Sequence, residues 1–148
     1  VGELTLIRVA FRYGDARVFA RVIGWWQRHD SAHCEVAETW DGSVHACVGA
    51  SFLDRGVRMK VINMPPEKWR IYEIDRPASS VAAWYDRHKG DDYDVLGLLG
   101  FLWRPIRGRD RRWFCSELVA NVIGLQEPHR YDVAAIEHVC DLIGRKVQ

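Results

Sequence analysis

The chain has almost no net charge, no long apolar run, no closely spaced cysteine pair and no repeat, and each absence removes a class of protein. A formal charge of +1 gives no global electrostatic case for nucleic acid or a membrane surface. No apolar run approaches the roughly 20 residues that span a bilayer. The four cysteines, Cys34, Cys47, Cys115 and Cys140, form no CxxC pair, which argues against structural zinc. No metal and no cofactor are expected. At 148 residues the chain does not need disulfides, and it reads as reduced and intracellular when it folds. The first residues carry no signal-peptide pattern, so synthesis in the cytoplasm is expected. The chain opens on Val1 rather than methionine, which leaves a removed leader open. With no linker or low-complexity tract, residues 1–148 read as one domain.

What is present is an ordinary globular composition, 48% apolar and 28% charged, with a high count of seven tryptophans that suits a thick core or a ring-lined groove. Leu4 to Phe11 reads as a strand. Gly14-Asp15 then turns into an amphipathic helix over 16–28, with Val18, Phe19, Val22, Ile23 and Trp26 at helical spacing. Ser31 to Trp40 alternates, with His33, Glu35 and Ala37 on one face and Cys34 and Val36 on the other. Asp41-Gly42 signals a hairpin into Ser43–Ser51; Val57–Asn63 and Trp69–Asp75 follow. The middle of the chain is thus expected to be an antiparallel meander of about four strands. A helix starts at Ser79-Ser80 with Val81, Trp84, Tyr85 and His88 on one face, and Gly90 stops it. Tyr93–Trp103 is a second, mostly apolar segment, and Arg104–Arg112 is a loop with five arginines and one aspartate. Asp132 caps a last helix with Ala135, Ile136, Val139 and Ile143 inward. The fold class is α+β, an antiparallel sheet packed with helices.

The chemistry centres on Trp113–Asn121. Cys115 stands where an extended lead-in becomes a helix, with Leu118, Val119 and Val122 as its apolar face and Gly124 as its stop. A thiol in a first helical turn meets unsatisfied N–H groups and the positive end of the helix dipole, both of which favour the nucleophilic thiolate. The competing reading is a buried core cysteine. A nucleophile needs a base, and the base an orienting partner. His33, on a strand expected to be central, is the candidate base, and Glu35 emerges on the same face two residues on. His45 is an alternative third residue if the hairpin sets it beside His33. His29, His88, His129 and His138 read as helix-face or loop residues. The backbone N–H of Cys115 or Ser116 is the candidate oxyanion donor. Glu117 suits the helix dipole, but its charge opposes a thiolate unless it points away or is paired. The basic loop reads as a solvated surface or a dock for an anionic partner.

These residues carry a resemblance. Ser31-Ala32-His33-Cys34-Glu35-Val36 resembles the histidine strand of the circularly permuted NlpC/P60, papain-like hydrolases. Gly49–Val57 is similar to the small-residue and Gly-Val turn that follows it, Tyr93-Asp94-Val95-Leu96-Gly97 to the segment before the nucleophile, and Phe114-Cys115-Ser116-Glu117 to the nucleophile helix. The order, histidine first and cysteine later, is that of the permuted branch, and the nearest likeness is to small phage-encoded members. The resemblance implies a permuted papain-like fold, Cys115 as nucleophile, His33 as base, and Tyr93 near the site to position substrate or polarise a carbonyl. It implies a third residue at Glu35, with His45 as the alternative. The expected activity is that of a cysteine amidase or peptidase on peptidoglycan stem peptides, in a protein plausible as phage-encoded and virion-associated. Two further readings stand beside it: a lipid acyltransferase or thioesterase, and a non-enzymatic structural or adaptor protein contacting other phage particle proteins.

Overall fold

A computed structural model describes residues 5–14, 31–94 and 111–148. The helix expected over 16–28, Val95–Trp103 of the apolar segment and Arg104–Asp110 of the basic loop lie outside the described residues.

The core is a six-stranded antiparallel sheet. Its strands are β1 (Leu6–Tyr13), β2 (Ser31–Asp41), β3 (Val44–Ser51), β4 (Gly56–Asn63), β5 (Trp69–Pro77) and β8 (Gly144–Lys146), in the order β4-β3-β2-β1-β5-β8. The short strands β6 (Asp92–Tyr93) and β7 (Arg112–Trp113) form a separate parallel pair. Three helices complete the described fold: α1 (Ser79–His88), α2 (Cys115–Val122) and α3 (Val133–Ile143), with a 3-10 turn at Pro128–Arg130. This is the expected α+β architecture. Among the described residues, no helix is long and apolar enough to cross a membrane.

Side-chain alternation sorts the sheet into two faces. Ile7, Val9, Phe11, Cys34, Val36, Val48, Ala50, Tyr72 and Ile74 pack in one cluster with the helices. Ala10, Ala37, Cys47, Trp69, Ile71 and Met64 form a smaller cluster. The hairpin turns at Gly42, whose φ of 57° is a conformation glycine adopts without penalty.

Two expectations need correction. The meander holds only for β2-β3-β4, because β5 leaves β4 and pairs with β1 instead. Val9, Ala10 and Phe11 are all fully buried, so β1 is apolar on both faces and takes a partner on each edge. The last helix starts as expected, with the Asp132 carboxylate accepting the Ala135 N–H at 2.7 Å. Its buried residues, however, are Val133, Ile136, Glu137 and Cys140, and Ile143 is exposed. Glu137 turns inward because Arg70 Nε, at 2.6 Å, and Ser31 Oγ, at 2.9 Å, donate to its carboxylate.

Candidate functional site

The sequence around Cys115 makes an abrupt helix start. Phe114 is extended (φ −94°, ψ 154°) and Cys115 is the first helical residue. Leu118, Val119, Ala120 and Val122 bury the helix, and Gly124, at φ 82°, follows its end. The Glu117 carboxylate accepts the Phe114 backbone N–H, the return half of a capping box. Burial, reinforced by the nearby Asp94, raises the Glu117 pKa to about 7. This removes the expected conflict, because a carboxyl engaged in the cap and inclined to protonate weighs little against a thiolate.

On β2, His33 and Glu35 share a face as their spacing requires, and His33 Nε2 donates to Glu35 Oε1 at 2.6 Å. The ladder from β2 to β3 begins only at Val36↔Val48, so β2 meets the start of α2 at residues 33–35 instead. There Cys115 makes hydrogen-bonding contact with the His33 ring, the Cys34 thiol and the Cys34 backbone N–H. With Nε2 committed to Glu35, the ring nitrogen left for Cys115 is Nδ1. Cys115 is 2% exposed and the Glu35 side chain 1%, whereas the His33 side chain keeps 28% of its surface in solvent. Approach to the pair therefore runs over the imidazole.

The electrostatics follow from these contacts. Donation from the Cys34 thiol, working against burial and joined by the hydrogen bond and charge of His33, pulls the Cys115 pKa down to about 5. Burial opposes the His33 charge, yet Glu35 and Cys115 together raise its pKa to about 10. At neutral pH the resting pair is thus thiolate and imidazolium. Burial would likewise neutralise Glu35, but the hydrogen bonds of Arg58 and the charge of His33 hold its pKa below the ordinary carboxylate value.

Arg58 and Cys34 are members that the sequence reasoning missed. Arg58, on β4, forks onto Glu35: Nη1 donates to Oε2 at 2.6 Å and Nη2 to Oε1. Its Nε donates to Asp54 at 2.9 Å, so the guanidinium is held from both sides. Gly49 pairs with Arg58 across the β3–β4 ladder and makes room for the fork, since a Cβ there would stand 2.0 Å from Glu35 Oε2. The legible signal was the Asp54-to-Arg58 spacing across the second hairpin, together with a glycine inside an otherwise apolar strand.

His45 is not brought to the site. The tight hairpin pairs it with Trp40, seven residues along β2 from His33, or roughly 23 Å at about 3.3 Å per residue. There it stacks on Trp40 and its Nδ1 donates to the Ser43 carbonyl at 3.0 Å. Tyr93 does lie nearby, its ring 5.7 Å from Phe114 and 6.2 Å from Phe52. Burial, and then the negative charge of Cys115, push its phenol pKa up. The Ser116 hydroxyl is spent on structure, donating to the Tyr131 carbonyl at 2.7 Å, so only its backbone N–H faces the chemistry of the helix start. His88 sits apart in an aromatic nest, donating from Nδ1 to Asp91 at 3.0 Å and stacking on Trp84. From the end of the basic loop, Arg111 pairs with the same Asp91. Among the described residues, no cluster of three His, Cys, Asp or Glu is placed to hold a metal ion.

The chain matches no family model, no curated protein and no solved structure.

Proposed function

We propose that this protein is a cysteine hydrolase of the permuted papain-like type, an amidase or peptidase with Cys115 as nucleophile and His33 as its acid–base partner. The observation that carries the reading is the imidazole held between Cys115 and Glu35 at a helix start. In this reading the Cys115 thiolate attacks an acyl carbonyl. The oxyanion is met by the free backbone N–H groups of Cys115 and Ser116. The His33 imidazolium gives its proton to the leaving amine. The neutral imidazole then takes a proton from water, which releases the acyl group and restores the pair. Glu35 orients the ring and Arg58 orients Glu35.

The motif likeness to NlpC/P60 hydrolases supports peptidoglycan stem peptides as the substrate class and a phage as the source. An anionic partner at Arg104–Arg112 belongs to the same proposal. One observation favours a second reading, transfer or hydrolysis of a lipid acyl group. Phe52 and Leu53 at the β3–β4 tip are 62% and 72% exposed, and Phe52 meets Tyr93 edge-on. An apolar rim of this kind suits an apolar acyl chain.

The test is a panel of stem-peptide fragments and long-chain acyl esters, read by released amine or alcohol and by intact mass for an acyl group on Cys115. Cys115→Ala is expected to lose all turnover while its melting temperature stays close to that of the parent. Turnover surviving in that variant would refute the mechanism.

A further inference from the structure

Cys34 is a buried thiol for which the proposed hydrolysis has no covalent task. It lies in the same apolar cluster as Cys115, on the strand against which the start of α2 packs, and the two sulfur groups are in hydrogen-bonding contact. Its neighbours keep it protonated: burial first, then Cys115 and the Glu35 charge, raise its pKa well above the ordinary thiol value. The two members of this pair therefore differ in reactivity, one a thiolate and the other a quiet thiol in reserve. Cys47 and Cys140 are also buried and free but have no such partner among the cysteines: burial raises the Cys47 pKa strongly, and burial together with the Glu137 charge takes Cys140 to about 12.

We propose that Cys34 is the resolving thiol of a redox switch, closing a reversible Cys34–Cys115 disulfide when Cys115 is oxidised by a hydroperoxide. The Cys115 thiolate attacks one oxygen of hydrogen peroxide. The O–O bond breaks, the sulfur becomes a sulfenic acid, and the departing hydroxide takes the His33 proton and leaves as water. The Cys34 sulfur then attacks the Cys115 sulfur. The S–S bond forms, the S–O bond breaks, and the Cys34 proton leaves with the hydroxide as a second water. Two thiol sulfurs are oxidised by one electron each and one peroxide is reduced to two waters. The step closes a sulfur contact to the ~2.05 Å bond at a point where β2 carries no ladder bond to β3. The disulfide blocks the nucleophile and spares it from irreversible sulfinic acid; a dithiol reductant reopens it. The chemistry needs only a reactive Cys115, so it stands apart from the identity of any substrate.

The experiment treats the full chain with increasing hydrogen peroxide, maps digests without reduction by mass spectrometry, and repeats alkylation of Cys115 after dithiothreitol. The expected result is a linked Cys34–Cys115 peptide and full return of Cys115 alkylation on reduction. In Cys34→Ser, the closest replacement in volume, and in Cys34→Ala, dimedone traps the sulfenic acid. Cys115 proceeds to the sulfinic acid, and reduction no longer restores alkylation. A wild type in which Cys115 passes to sulfinic acid as fast as in Cys34→Ser, with no linked peptide, would overturn the switch while leaving the nucleophile in place. A Cys115 inert to peroxide would overturn both the switch and the hydrolase reading.

Discussion

Exchanging Arg58 for methionine is expected to cost about 3–5 kcal/mol of stability at pH 7, the usual penalty for leaving one member of a buried ion pair without its partner. Glu35 is 1% exposed and both its oxygens accept from the guanidinium. Methionine fills most of the volume but supplies no donor, and His33 alone cannot satisfy both oxygens. The effect depends on pH with a definite sign. In the parent, Arg58 and His33 outweigh burial and depress the Glu35 pKa on folding. That contribution is complete above the unfolded carboxylate value, about 4.3, and is lost as pH falls through the depressed folded value. In the variant, burial is no longer outweighed by Arg58. The stability gap between the two proteins is therefore widest near neutrality and narrows below about pH 4. Urea unfolding at pH 7 and again in acid measures it. Lysine at position 58 is expected to recover only part of the loss, because an ammonium cannot fork. A methionine variant as stable as the parent at pH 7 would show that the fork holds nothing in place.

His33→Ala is expected to reduce the thiolate share of Cys115 at pH 6 on the order of a hundredfold or more, each pKa unit being tenfold. Donation from Cys34 remains in this variant, but the hydrogen bond and positive charge of His33 are gone, and burial then works against the thiolate with less opposition. The rate of alkylation of Cys115 in parent and variant reads the ratio directly. Glu35→Gln separates orientation from charge. The amide keeps a hydrogen-bond acceptor for Nε2 but removes the charge that raises the His33 pKa, so the imidazolium is expected to titrate at a lower pH in that variant.

Much of this site was legible because its geometry is local. Period-two alternation on β2 is enough to put His33 and Glu35 on one face, and an aromatic lead-in followed by Cys-Ser-Glu and an apolar run is enough to start a helix at Cys115. Asp132 and Gly124 were readable as helix ends for the same reason, since caps depend on a few consecutive residues. Arg58 and Gly49 were not readable, because their role comes from the β3–β4 ladder register, which sets a glycine opposite an arginine and both against Glu35. Cys34 was hidden differently. Alternation assigns it to the face opposite His33, yet both reach Cys115, because β2 is unpaired with β3 at this level and the helix start approaches its edge. The error over His45 was avoidable. A two-residue turn already ties His45 to Trp40, too far along the strand to meet His33. The place of β5 was beyond local reading, although three consecutive buried residues in β1 called for a partner on each side.

The most direct test of the central claim is the pH dependence of Cys115 alkylation in the unmodified protein, followed by mass spectrometry with Cys34, Cys47 and Cys140 as internal controls. The account predicts that Cys115 reacts selectively, with a midpoint near its pKa of about 5 and a rate already at plateau by neutral pH, while the other three stay silent. A Cys115 that stays silent, or reacts only as pH approaches the ordinary thiol value of about 8.5 and no faster than the other cysteines, would contradict the thiolate–imidazolium pair and the hydrolase built on it.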